Sequence, residues 1–129
     1  LQDTYSISCE LIDLYSVRPL DKESIINSVK KTKKVLLVDA ASKSFSVSSE
    51  IISSLTEQFI PSDGIQMKKL GLPDIPEPTS YGLTKDFHLN ADDIVENVLK
   101  MFGISKKPLK KIRHLEHHDI PGSWFKGPF

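Results

Sequence analysis

The sequence predicts an α/β domain organised on one parallel βαβ unit. Two apolar runs and the helix-spaced stretch between them carry that prediction. Cys9 to Leu14 is an apolar run that closes on Asp13 and Leu14, and Val35-Leu36-Leu37-Val38 is a second run with no polar alternation. A short continuous apolar run bounded by charged residues suits a strand covered on both faces. A helix between two such strands makes them parallel, with a right-handed crossover.

Length and composition fit one domain with one modest core: 129 residues, 39% hydrophobic and 26% charged. The formal net charge of zero excludes a global field selecting nucleic acid or an anionic membrane. Charge is unevenly spread. From Ser105 onward Lys106, Lys107, Lys110, Lys111, Arg113 and Lys126 outnumber Glu116 and Asp119, which leaves the remainder acidic. The single cysteine, Cys9, excludes an internal disulfide framework and a Cys-based zinc site, and its place in a predicted strand reads as a buried, inert thiol. No apolar stretch approaches the roughly 20 residues that span a bilayer. Without a signal-peptide pattern the expected compartment is the cytoplasm. A start at LQDTYSIS, with no Met, suggests a piece of a longer chain.

Taken in order, Leu1 to Ser8 is a short polar lead, either a helix end or a loop. After the first run, Pro19 holds Arg18 out of the helical region. Asp21 is placed as an N-cap for a helix from Lys22 to Lys31 that buries Ile25, Ile26 and Val29. Lys30 and Lys31 complement the negative end of the helix dipole, and Lys33 and Lys34 extend the cluster. The VLLV strand opens into a loop from Asp39 to Phe45. Ligands of open α/β sheets often bind at such strand ends, so Asp39 is the acid to inspect first. No Gly-rich phosphate fingerprint follows it, and dinucleotide binding has no support.

A second helix spans Val47 to Phe59, with Val47, Ile51, Ile52, Leu55 and Phe59 on one stripe. Pro61 stops it, and Ser62-Asp63-Gly64 is a turn. Ile65 to Leu70 is a third strand whose Lys68 and Lys69 suit an edge. Gly71 to Ser80 contains Pro73, Pro76 and Pro78, which excludes a central strand or a helix interior. It reads as a stiff connection presenting Leu72, Ile75 and Tyr81, either draped over its own sheet or offered to a partner. The third helix is capped by Asn90, with Asp93 in the reciprocal position. It carries Ile94, Val95, Val98, Leu99 and Phe102 on its apolar face and ends at Gly103.

Two regions follow: a domain over 1–104 and a basic, aromatic tail over 105–129. His114, His117 and His118 fall within five residues, but two are adjacent, and no metal site is assigned. Basic residues near Trp124 and Phe125 raise nucleic-acid stacking. Those aromatics are terminal and not interleaved with the charge, so the expectation is a tail that anchors Ile120, Trp124, Phe125 and Phe129 on a neighbouring surface. No nucleophile–base arrangement and no acid–base carboxylate pair stands out. Three helices and three strands are few for a sheet covered on both faces, so one more strand and helix upstream are expected.

With those elements placed, the stretch CELIDLYSVRPLDKESIINSVKKTKKVLLVDAA resembles the C-terminal domain of the transketolase family of thiamine diphosphate enzymes, above all the beta subunits of pyruvate and branched 2-oxoacid dehydrogenases. The pattern is Ile12-Asp13-Leu14, Arg18-Pro19-Leu20-Asp21, Ile25, Ile26 and Val29, Lys30-Lys31-Thr32, and a strand closing on Asp39. Glu50-Ile51, the Leu72-to-Pro78 loop and Asp92-Asp93-Ile94-Val95 continue it. In place of the family's glycine-rich loop stands Ser42-Lys43-Ser44-Phe45-Ser46, and the tail has no counterpart.

The resemblance implies a three-layer α/β/α domain with a mostly parallel five-stranded sheet, here lacking the first strand and helix. It implies a non-catalytic assembly role in an oxidoreductase: holding an oligomer together and helping to dock an acyltransferase core. Thiamine diphosphate and magnesium are expected in other domains, so no catalytic, cofactor or metal residue is assigned. The expected interface residues are Pro73, Ile75, Pro76, Tyr81, Trp124 and Phe125. Two other readings stay open: a free-standing small-molecule or anion-binding α/β module using Asp39 and the Lys30-to-Lys34 cluster, and a nucleic-acid module built on the tail.

Overall fold

A computed structural model describes residues 1–84, 87–105 and 126. The expected tail, with its histidines, Trp124 and Phe125, lies outside the described residues apart from Lys126. The elements run α1 (Gln2–Tyr5), α2 (Lys22–Thr32), β1 (Lys34–Ser42), α3 (Val47–Gln58), β2 (Gln66–Leu72), α4 (Tyr81–Thr84) and α5 (Ala91–Met101). The result is a mixed α/β fold on a small parallel sheet of β1 and β2.

Local chemistry sets the helix ends. Asp21 accepts from the Ser24 amide at the start of α2, and Lys33 closes its end in the left-handed region. Asn90 accepts from the amides of Asp92 and Asp93, while Asp93 accepts in return from the Asn90 amide. This reciprocal box satisfies donors that a helix start otherwise leaves bare. Gly103, with φ +67°, takes the left-handed turn after α5, a backbone angle that glycine adopts at no steric cost.

The core is narrow. Ile25 and Val29 of α2 and Ile51 and Leu55 of α3 are buried together, with Leu14, Leu20, Val35, Leu37 and Met67 packed on them. Leu55 is the most enclosed, at 1% exposure. Val35 and Leu37 therefore face α2 and α3. Lys34, one residue out of phase with them, is on the other face of the strand. Its ammonium donates to the Met101 carbonyl at the end of α5 and to Gln66, each at 2.9 Å, and lies over the Phe102 ring. Phe102, expected on the apolar face of α5, is 46% exposed, and its ring is a platform for that cation.

The β1–β2 ladder keeps regular register from Lys34↔Gln66 to Val38↔Leu70 and slips before Ser42↔Leu72. Gly71 sits at the slip. A Cβ there would come within 2.9 Å of the Ala41 carbonyl oxygen, so the close approach of the two backbones requires glycine.

Several expectations are corrected. Cys9 to Leu14 is not a strand: among the described residues no strand pairs with it, and Leu11 stands 93% exposed. A strand exists only where a neighbour takes its backbone hydrogen bonds, and among the described residues no strand does so for this run. Cys9 is accordingly exposed, not buried. The parallel pair that forms is β1 with β2, crossed by α3, one unit further along the chain than expected. The expected loop after Val38 is strand as far as Ser42. Leu72, expected in the proline connection, belongs to β2. Val47, placed on the buried stripe of α3, is 38% exposed, while Ser48 beside it takes the buried position in the first turn. The short helices α1 and α4 have too few residues to leave a periodic signal.

Candidate functional site

The polar residues that gather in this molecule do so at the carboxyl ends of β1 and β2, where chain leaves the sheet at both strands. Asp39 is there as expected, but its carboxylate is engaged. One oxygen accepts from the Ala41 amide at 3.0 Å and the other from the Ser48 amide at 3.2 Å. Ser48 is in the first turn of α3, so Asp39 acts as a cap reached across the loop, where a carboxylate complements the positive helix end. Ser46, the residue just before the helix, makes no side-chain cap itself; its hydroxyl is 2.7 Å from that of Ser48.

A second carboxylate ties the two strand ends together. Asp74 accepts from the hydroxyls of Ser42 and Ser44, both at 2.9 Å. The Ser42 hydroxyl first, then that of Ser44, holds the Asp74 carboxyl below its ordinary value of 3.8. Lys69 completes the cluster from β2, donating to the Lys43 carbonyl and to the Ser49 hydroxyl. These bonds hold the loop at Phe45, which lies at φ +54° with its ring wholly exposed. The sequence marks Ser42 and Ser44 as standing in place of a glycine-rich loop and Lys69 as an edge residue, but nothing in it joins them to Asp74 or to one another as a cluster. The signal would have been a pairing between two loops that run side by side only once the strands are in register.

Chemically this cluster binds itself. The hydroxyls donate to carboxylates, carbonyls or one another, and both acids have chain partners. No imidazole or free carboxylate stands beside a serine among the described contacts, so no nucleophile–base pair is assembled there. Among the described residues no group of three His, Cys, Asp or Glu side chains is placed to hold a metal ion. Nor is any helix of the described residues long and apolar enough to cross a membrane.

The expected basic cluster is split. Lys30, Lys31 and Lys33 are exposed, Lys31 lies 3.5 Å from Glu10, and Lys34 turns away to α5. The expected interface residues fare differently. Pro73, Ile75 and Pro76 are exposed, Ile75 at 62%. The segment that carries them is held at both ends: by Asp74 to the Ser42–Ser44 loop, and by Glu77 to His88 at 3.2 Å. Tyr81 opens α4. Trp124 and Phe125 lie outside the described residues.

Residues 1–94 match the family described as Transketolase, C-terminal domain. The pyruvate dehydrogenase E1 component subunit beta of Mycoplasma pneumoniae is 43% identical over 82 residues, covering 64% of this chain and 25% of that protein. Its Mycoplasma genitalium counterpart is 41% identical over 93 residues, covering 70% of this chain and 28% of that protein. The 2-oxoisovalerate dehydrogenase subunit beta of Bacillus subtilis is 39% identical over 89 residues, covering 68% and 27%. The chain thus spans about a quarter of the length of the curated relatives it matches.

Proposed function

Because the chain belongs to the transketolase C-terminal domain family, we propose that it is a non-catalytic assembly domain of a thiamine diphosphate-dependent 2-oxoacid dehydrogenase or transketolase-like enzyme. The parent protein is then an oxidoreductase of the cytoplasm, and this part contributes contact area to an oligomer. Its partners are other domains and subunits of the parent enzyme, with an acyltransferase core among them. In the parent, the sheet is larger and mostly parallel, within a three-layer α/β/α domain over 1–104. Support for the layers comes from β1 itself, whose Val35 and Leu37 face α2 and α3 while Lys34 reaches α5.

One observation carries the reading: large apolar side chains stand in water in a chain whose packed core is small. Leu11 is 93% exposed, Tyr15 104%, Ile75 62% and Leu83 69%. We take these exposed apolar groups as surface that the assembly covers. Pro73, Ile75, Pro76 and Tyr81 are the proposed contacts on the proline side, and Trp124 and Phe125 those of the tail over 105–129.

The acids at the strand ends, Asp39 and Asp74, already accept from the chain's own amides and hydroxyls and serve the fold there, which supports a site elsewhere for thiamine diphosphate and magnesium. We place the cofactor in other domains of the parent and route no chemical step through this one.

Calorimetry with thiamine diphosphate and magnesium tests the cofactor half: no heat of binding is expected, and micromolar binding by this chain alone would refute it. The assembly half is tested by Ile75→Asp in the parent enzyme. Subunit association should weaken while the activity of whatever assembles stays unchanged. An unaltered association constant contradicts the assignment of that loop.

A further inference from the structure

We propose that the segment 73–77 is a strap with two anchors, and that a proton on His88 closes the second anchor and fixes Ile75 in place. The proposal rests on the assembly reading above, which makes Ile75 a contact, and adds the group that controls it. The first anchor is Asp74, which accepts from the hydroxyls of Ser42 and Ser44, both at 2.9 Å. The second is Glu77, whose carboxylate lies 3.2 Å from Nε2 of His88. Ile75 stands between them, next to the first anchor and separated from the second by Pro76. Pro73, Pro76 and Pro78 each fix φ, so little backbone freedom remains once both anchors are made.

His88 has a fixed seat on the body of the domain. Its neighbour Phe87 is buried and donates its amide to the Thr84 carbonyl at 3.0 Å. The Phe87 ring meets the imidazole edge-on, with ring centres 5.4 Å apart. Just beyond His88 the Asn90–Asp93 box starts α5. The exposed segment therefore comes to the imidazole, and not the reverse. Among the described residues Glu77 is the ion-pair partner of His88. The nearest acids of α5 are Asp92 and Asp93; neither pairs with His88, and Asp93 is engaged by the Asn90 amide. Both members of the pair are about half exposed, so the imidazole exchanges its proton with water.

The two anchors answer to pH differently. The Asp74 carboxyl is held below its ordinary value of 3.8 by the hydroxyls of Ser42 and then Ser44, so the first anchor is constant across the neutral range. Imidazoles as a class gain and lose a proton between about pH 5 and 8. A carboxylate beside an imidazole favours the charged form, and by linkage the charged form favours the contact. The second anchor therefore strengthens as pH falls through the imidazole range and weakens as pH rises. An exposed ion pair of this kind moves an equilibrium by about twofold, a change that is read at the strap and lost in global unfolding. Its use is preorganisation: an Ile75 already in place needs less ordering when a partner subunit covers it.

The test follows the Ile75 methyl and amide resonances and the His88 ring resonances by NMR, in the full chain, from about pH 8 to about pH 6. The Ile75 signals should move with the His88 ring, through the same midpoint. In Glu77→Gln the ring should still titrate while Ile75 stays where it is. His88→Lys, which is charged throughout, should hold Ile75 at its acid position across the range. If the chain alone does not give the spectrum of a folded protein, the same labels are read in the parent enzyme. There, subunit association should be about twofold tighter at the acid end than at the alkaline end, and Glu77→Gln should remove the difference. The strap is overturned if Ile75 does not move in the unaltered chain, if it moves as far in Glu77→Gln, or if His88→Lys leaves its pH dependence intact. An Ile75 that follows His88 while association ignores both keeps the strap and removes that residue from the assembly reading.

Discussion

Helix α2 borders two regions of opposite character. On one flank Ile25 and Val29 meet Ile51 and Leu55 of α3 in a sealed cluster. On the other lies the Ser8–Leu14 arm, where Leu11 and, just beyond it, Tyr15 stand in water. Both regions are rich in apolar residues, so composition does not separate them. What separates them is whether a neighbour is present. The sealed side has α3 and β1 against it; among the described residues the arm is tied down through Glu10 and Leu14. Hydrophobic character therefore reports the surface a segment is built to share, and only a contact map reports whether it is shared within these residues.

The largest difference between the two sides should come from truncating their leucines. Leu55→Ala should cost about 2–5 kcal/mol in chemical denaturation, the usual loss for a fully enclosed leucine. Leu11→Ser should stay within about 0.5 kcal/mol in this chain, as for exposed sites. Equal losses would erase the contrast. Next, Lys34→Met removes the ammonium that joins β1 to the Met101 carbonyl and to Gln66. A loss of about 1.5–3 kcal/mol is expected for charge-assisted bonds of this kind, together with earlier amide exchange in α5 than in α2. Asn90→Ala, which opens the reciprocal cap of α5, should cost about 1 kcal/mol and leave the α2–α3 cluster untouched.

The smallest effect concerns acid. Asp74 is held below its ordinary value of 3.8 by Ser42 and Ser44, and Asp21 by Ser24. A carboxyl with a depressed folded value binds fewer protons folded than unfolded, so its contribution is present above 3.8 and fades as pH falls through the lower folded value. Stability should therefore be flat near neutrality and drop in acid, and Asp74→Asn should flatten part of that drop. Both groups are exposed, so the change is small. An unaltered acid limb in the variant would show that the clasp contributes nothing.

The sequence made the sealed region legible and the open one misleading. The Asp21 cap, the Ile25–Val29 face, the Ile51–Leu55 stripe, the VLLV strand and the Asn90–Asp93 box are all local patterns, and the structure has each of them. The arm carries an equally good strand pattern. A strand, however, is a relation between two segments, and Cys9 to Leu14 lacks the second one among the described residues. The polar cluster was half legible. Asp39 stood out at a strand end, but its capping of Ser48 and the Asp74 clasp depend on loops brought together only by the register of β1 and β2. Lys34 was misread for a similar reason: four basic residues in five positions look like one patch until strand geometry turns one of them inward.

Amide hydrogen exchange along β1 in this chain is the most direct test of a strand that, among the described residues, is paired on one edge. The expected result is alternation: Val35, Leu37 and Asp39, bonded to β2, exchange slowly, while Leu36, Val38 and Ala40 exchange fast. Uniform protection from Val35 to Ala40 would mean the edge is already occupied, and would contradict the account.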